Sequence, residues 1–206
     1  MIADILPTGV VAAESFGPPG DWKLLPGEAL AIATAGPGRR AEFAAGRVVA
    51  RAALASLGAP AGPILPGRAG EPQWPGGVVG SITHCTGYRA CAVALARDLA
   101  AIGIDAEPCL ALPDGLLAEV AGAAERACLT GLGAARPGVP WDRVLFCAKE
   151  AVYKAWYSRT GQRPGLRSMT VQVAGAGTFA AWPAARLTGR WLVRDGLIVT
   201  AVTVPH

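Results

Sequence analysis

The sequence predicts an α+β protein, and three observations carry that expectation. Residues 39–57 and 142–157 repeat their apolar side chains at the spacing of an amphipathic helix. Each stretch is followed, after a loop, by short runs of strand-like composition, so a helix-then-strands order occurs twice, with the switch near residue 100. The strand runs also follow one another directly instead of alternating with helices, which argues against a parallel βαβ sheet. The expected organisation is an N-terminal half, 1–100, and a C-terminal half, 101–206. The halves share no evident sequence identity, so the sequence suggests a structural repeat and no more.

In chain order, the stretch to about residue 27 is rich in Gly and Pro and reads as loop with short strands. "RRAEFAAGRVVARAALASL" (39–57) is a helix with Phe43, Val48, Ala52, Leu54 and Leu57 on its apolar side and Arg40, Arg47 and Arg51 on another; Gly58 and Pro60 stop it. The segment 58–77 is too dense in Gly and Pro for a regular element. Strand-like runs follow at 78–83, 88–96 and 101–107, the last ended by Pro108. A helix is expected over 115–130 and a strong one over 142–157. Strands are expected at 169–173, 178–182, 190–194 and 197–204, with Asp195-Gly196 a hairpin turn between the last two.

The bulk numbers narrow the function classes. A chain of 206 residues that is 52% hydrophobic and 17% charged can bury a real core. No apolar run reaches the ~18 residues of a membrane span, and the start, Met-Ile-Ala-Asp, has no basic n-region, so a cytoplasmic location is expected. Five cysteines without a C-x-x-C pair argue against a disulfide framework or a zinc site. The net charge of +4 suits an acidic partner or a phosphate-bearing ligand, but the dense Lys/Arg runs of a nucleic-acid binder are missing.

Three local patterns hold candidate chemistry. Lysine occurs only three times, at 23, 149 and 154, and two of these flank Glu150 in "FCAKEAVYKAW" (146–156). On a helix, Val144, Leu145, Ala148, Ala151, Val152, Ala155 and Trp156 form the apolar stripe; Glu150 and Lys154 lie together opposite it, with Lys149 on the flank. A solvated i,i+4 pair worth ~0.3–0.5 kcal/mol is one explanation; a functional face is the other. In "AIGIDAEP" (101–108) the strand period puts Ile102 and Ile104 on one face and Gly103, Asp105 and Glu107 on the other. Two carboxylates so close repel unless a cation lies between them, and hard oxygen ligands suit Mg²⁺. Gly103 either admits a ligand closely or serves a turn. In "GSITHC" (80–85), His84 ends a strand and is either a structural hydrogen-bonder or a phosphate contact. No P-loop, G-x-G-x-x-G or G-x-S-x-G pattern is present.

Together, "GIDAE" (103–107) and "FCAKEAVYKAW" resemble the paired signature of 4′-phosphopantetheinyl transferases, in the longer form that activates peptide and polyketide synthetases. "EFAAGRVVARAAL" and "GEPQWPGGVVGSITH" are similar to further blocks of the enterobactin-synthetase branch, and the likeness covers roughly 39–157. It implies two similar α+β halves about a pseudo-twofold axis, with coenzyme A between them. It implies transfer of the phosphopantetheine arm of coenzyme A to a serine of an acyl or peptidyl carrier protein, releasing adenosine 3′,5′-bisphosphate. Carried over by position, Asp105, Glu107 and Glu150 would hold Mg²⁺, Lys149 and Lys154 would bind phosphates, and His84, helped by Arg47 and Arg51, would take the 3′-phosphate. Lys154 would also steady the leaving group, and Glu150 would be the base for the carrier serine. The "EPQWP" stretch, with Arg68 and Pro72, would lie near the adenine. The family's basic cluster is represented here only by Arg39 and Arg40. Residues 109–140, including Leu116 and Leu117, would face an acidic carrier, and a chain holding both halves is expected to act as a monomer. Two other readings stay open: a different Mg²⁺-dependent transferase or hydrolase of a nucleotide diphosphate, or an inactive coenzyme A- or carrier-binding module.

Overall fold

The computed structural model describes residues 1–18, 20, 22–60, 62–182 and 187–206. Two antiparallel sheets and the helices laid on them give the α+β fold that the helix-then-strands pattern predicts. The first sheet holds β1 (Val11–Phe16), β2 (Val78–Cys85) and β3 (Tyr88–Leu95) in the order β1-β3-β2. Residues after 100 form the second: β4 (Ala101–Pro108), β5 (Thr170–Ala174), β6 (Thr178–Trp182), β7 (Leu187–Arg194) and β8 (Leu197–Val204), in the order β4-β8-β7-β6-β5.

Among the described residues five α-helices accompany them. A short α1 (Pro26–Ala31) falls at the end of the stretch read as loop. Helix α2 (Pro37–Leu57) opens on a proline at its first position and closes on Gly58 in the left-handed conformation. Its buried face is Phe43, Ala44, Ala45, Val49, Ala50, Ala53 and Leu54, so Val48 and Ala52 do not lie in the core as the apolar pattern suggests. In a helix this rich in alanine, apolar residues surround the axis, and packing against β1 and β3 selects the face.

The single helix expected over 115–130 is two, α3 (Leu116–Val120) and α4 (Ala123–Ala135), broken at Ala121–Gly122. Glu125 accepts the Gly122 amide at 2.7 Å and so caps the start of the second. Helix α5 (Trp141–Thr160) buries Val144, Leu145, Ala148, Ala151, Val152 and Ala155, as its apolar stripe requires. The turn between β7 and β8 places Asp195 and Gly196 at φ 51° and 74°, the doubly positive turn that Asp-Gly favours. β7 itself starts three residues earlier than the pattern suggests.

One buried cluster fixes the two sheets together. Ile102, Ile104 and Ala106 of β4 pack with Tyr88, Ala90, Ala92 and Ala94 of β3 and with Val199 and Ala201 of β8. Where β2 meets β4, side chains supply hydrogen bonds: Ser81 Oγ accepts the Ile104 amide at 3.1 Å and Thr83 Oγ1 the Ala106 amide at 2.9 Å. The two strands therefore run side by side in the same sense across the seam. Among the described residues no helix is long and apolar enough to cross a membrane.

Candidate active site

Gly103 decides how close α5 comes to the seam. It lies on the face of β4 turned toward α5, and a Cβ there would run into the carbonyl of Ala151. The glycine thus serves close packing of helix on strand, which is neither the approach of a ligand nor the turn that the sequence suggests. That packing sets Lys154 over the next residue on the same face, Asp105. The Lys154 ammonium donates to Asp105 Oδ1 at 2.7 Å and to the Ile104 carbonyl at 3.0 Å.

Asp105 is only 5% exposed. Thr83 Oγ1 donates to the same Oδ1 at 3.2 Å, while Oδ2 is buried without a hydrogen-bond partner among the described residues. Two residues on, Glu107 is half-buried and pairs with Arg143 of α5 at 2.8 Å. Burial and the charge of Asp105 push the Glu107 carboxyl above its usual pKa, against the pull of Arg143. Glu150 is raised too, first by burial and then by Asp105, with Lys154 opposing and Glu107 adding to it. Cys147, buried beneath this face of α5, has its thiol driven up by burial and next by Asp105. Asp105 thus raises both of the neighbouring carboxylates, and two cations, Lys154 and Arg143, lie among the three acids.

Beside this acidic cluster opens a cleft of about 260 Å³. Helix α2 contributes Arg39 and Arg47, β2 contributes His84, the preceding loop contributes Trp74, and α5 contributes Glu150, Tyr153 and Lys154. Asp105 and Glu107 do not line it, and Lys154 is the link between cleft and acids. Arg47 is 5% exposed; its Nε donates to the Ile64 carbonyl at 2.6 Å, its guanidinium lies over Phe43, and Nη2 is buried with no partner among the described residues. Burial brings its pKa down to about 10. His84 is exposed at the rim, yet the chain around it desolvates the ring enough to lower its pKa, with Glu42 pulling the other way and Lys154 and Arg39 adding to the shift. A larger hollow, about 660 Å³ on the five-stranded sheet, offers one charged residue, Arg190, and no acid or histidine, so the chemistry belongs to the smaller cleft.

Two expectations fail on geometry. Lys149 is not on a flank within reach of phosphate. It is fully buried, pairing with Glu125 at 2.8 Å and donating to the carbonyls of Val120, Leu166 and Met169 at 2.7, 3.0 and 2.7 Å. Burial lowers its pKa, against the pull of Glu125. Arg51 does not reach the cleft either; it clamps the fully buried Glu28 at 2.6 and 2.7 Å and takes the Lys23 carbonyl at 2.9 Å. A buried carboxylate needs a cation, and that need outweighs the helical spacing that groups Arg51 with Arg47.

The donor set suits a small, hard cation. Mg²⁺ takes one or two carboxylates together with waters and substrate phosphates and needs no cage made wholly of protein. Among the described residues no three His, Cys, Asp or Glu side chains form such a cage. What is present is a buried carboxylate oxygen with no partner and a surplus of acid over base, and both fit a divalent ion. Sequence reasoning did not single out Thr83 or Arg143. Alternation along "GSITH" would have found the first, since Ser81 and Thr83 share one strand face.

The family model described as the 4′-phosphopantetheinyl transferase N-terminal domain matches residues 27–94, and the model of the 4′-phosphopantetheinyl transferase superfamily matches 101–194. The chain belongs to this superfamily. It is 50% identical to the 4′-phosphopantetheinyl transferase Svp of Streptomyces mobaraensis over 99% of this chain and 89% of that protein. Identity to the 4′-phosphopantetheinyl transferase Npt of Nocardia iowensis is 43%, over 98% and 99% of the two chains. For the 4′-phosphopantetheinyl transferase PptT of Mycobacterium tuberculosis it is 40%, over 99% and 98%. The protein is therefore a transferase of this type, as the paired motifs of β4 and α5 imply.

Proposed function

We propose that the protein moves the 4′-phosphopantetheine arm of coenzyme A onto a serine of an apo carrier protein and releases adenosine 3′,5′-bisphosphate. The observation that supports this most is the junction at Lys154, which lines a cleft holding Arg39, Arg47 and His84 beside Glu42 and Glu71, and which pairs with Asp105 of the carboxylate cluster. A phosphate ester needs the first and its activation needs the second.

In this reading His84, Arg39 and the unpartnered Nη2 of Arg47 receive the 3′-phosphate end of coenzyme A. His84 is neutral before binding, because its pKa is lowered, and an arriving phosphate raises its affinity for a proton. Lys154 donates to the diphosphate. A magnesium ion held by Asp105 and Glu150, with Glu107 steadied beside them by Arg143, would neutralise that diphosphate. Glu150, directly or through a metal-bound water, takes the proton of the carrier serine. The serine oxygen bonds to the phosphorus next to the pantetheine arm. The bond from that phosphorus to the bridging oxygen breaks, and the bridging oxygen leaves on adenosine 3′,5′-bisphosphate with Lys154 meeting its charge. The net charge of +4 supports an encounter with an acidic carrier, and a cleft whose two walls come from one chain supports action as a monomer.

The test is the intact mass of an apo carrier protein after incubation with this protein, coenzyme A and Mg²⁺. A gain of one phosphopantetheine, lost with EDTA and in Glu150→Gln, is expected. Tight coenzyme A binding with no gain across several carrier types would overturn the reading in favour of a binding module.

A further inference from the structure

We propose that Thr83 is a positioning residue for Asp105, reaching across the seam from β2 to fix the orientation of that carboxylate so that one oxygen is left for the cation. The inference rests on the metal role given to Asp105 above.

Thr83 is 2% exposed and its hydroxyl makes two contacts. Oγ1 accepts the Ala106 amide at 2.9 Å and lies 3.2 Å from Asp105 Oδ1. An ionised carboxylate only accepts, so the single hydroxyl proton must go to Oδ1. Lys154 donates to the same oxygen at 2.7 Å. Two donors on Oδ1 and none on Oδ2 make the carboxylate asymmetric. Turning the carboxylate plane partway about Cβ–Cγ would lose both hydrogen bonds, so the pair holds the plane in place.

The two donors are not equivalent. Lys154 lies on a flexible stem and lines the cleft, so in the proposed reaction its ammonium is shared with the phosphates. The Thr83 hydroxyl sits on a strand inside the seam, with its acceptor side occupied by a backbone amide. When Lys154 turns toward phosphate, Thr83 is the donor that still holds Oδ1. Partners of this kind on a metal-binding carboxylate typically change metal affinity by ~10–100-fold when removed. Ser81 is the internal comparison. It makes the neighbouring contact across the seam, to the Ile104 amide at 3.1 Å.

The experiment is a titration of the purified protein with Mn²⁺, without coenzyme A, in which electron paramagnetic resonance counts the free ion. Thermal melting of each variant is recorded in parallel. Thr83→Val removes the proton while keeping the shape, and is expected to weaken Mn²⁺ binding by ~10–100-fold. Thr83→Ser should restore it to within a few-fold of the parent, and Ser81→Ala should leave it unchanged. Thr83→Ala is measured as well, in case valine does not fold. If Thr83→Val and Thr83→Ala melt lower but bind Mn²⁺ like the parent, Thr83 only stitches the seam and the proposal is wrong. If Ser81→Ala weakens binding equally, the effect belongs to the seam in general, which also overturns it. If the parent itself binds no Mn²⁺, the metal reading falls first and this inference with it.

Discussion

Replacing Lys149 with methionine separates a structural lysine from a phosphate-binding one. Methionine fills a similar volume, so the change is mainly electrostatic. It leaves Glu125 buried and unpaired, and the carbonyls of Val120, Leu166 and Met169 lose their donor. Removing one member of a buried pair costs ~3–5 kcal/mol, and the orphaned carbonyls are part of that figure rather than additional to it. For a chain of this size ~2–4 °C of Tm accompanies each kcal/mol, so Lys149→Met should melt ~6–20 °C lower. The double variant Lys149→Met/Glu125→Gln should recover part of the loss, because it removes the stranded charge. Turnover measured well below the melting range should stay within a few-fold of the parent, since the ammonium touches nothing in the cleft. The assay is a thermal melt beside a carrier-modification rate at low temperature. A variant that melts like the parent but has lost turnover a hundredfold would refute the reasoning and put Lys149 back among the phosphate contacts.

Arg51→Met should behave in the same way, since it strands the carboxylate of Glu28: stability falls by ~3 kcal/mol or more while KM for coenzyme A is unchanged, as a urea melt and a KM measurement would show. The pH profile of turnover should have an acidic limb set by Glu150. The base must be ionised, so activity falls as pH drops through its pKa; burial and Asp105 raise that pKa in the metal-free protein and a Mg²⁺ ion opposes the rise, so the limb should move to lower pH as Mg²⁺ is increased, which rates at two Mg²⁺ concentrations check. The same shift has the opposite sense for stability: ionised Glu150 disfavours the fold above its folded pKa, so Glu150→Gln should melt higher than the parent near neutrality, and the gain should vanish below ~pH 4. Gly103→Ala should displace α5 from β4, lowering stability by ~3 kcal/mol or more and turnover with it, read by melt and rate together.

Much of the fold was legible because its long-range pattern is carried by local signals. The apolar stripe of α5, the Asp-Gly turn at 195–196 and the Gly-rich loop before β2 each state their own conformation. What was not legible depends on partners distant in sequence. The break between α3 and α4 is sealed by Glu125, whose other partners, Lys149 and Val171, lie 24 and 46 residues away. The core face of α2 was misjudged at Val48 and Ala52 because alanine gives the periodicity little contrast. The burial of Arg47 likewise follows from the Ile64 carbonyl and the ring of Phe43, and the first of these is in a loop whose path no pattern foretells.

The site divides in the same way. Residue type and spacing, taken with the family resemblance, nominate Asp105, Glu107, Glu150 and Lys154: a carboxylate pair on one strand face asks for a cation, whereas a Glu–Lys pair on one helix face is by itself ordinary on a solvated surface. Spacing could not separate Lys154 from Lys149, or Arg47 from Arg51, since each pair lies on one helix only four or five residues apart. The partner decides: Lys149 and Arg51 each meet a buried glutamate, which ties them to the fold, whereas Lys154 lines the cleft and Arg47 keeps an unpartnered Nη2 in its wall. The seam explains why the acids can gather at all. A strand pair closed by backbone hydrogen bonds would have had no use for Ser81 and Thr83. Closing it through hydroxyls brings a proton donor from one sheet to a carboxylate of the other. A cluster with more acid than base costs stability when empty. Its placement where the two sheets share a core lets the rest of the molecule bear that cost, which the cation and phosphate ligand of the proposed reaction would relieve.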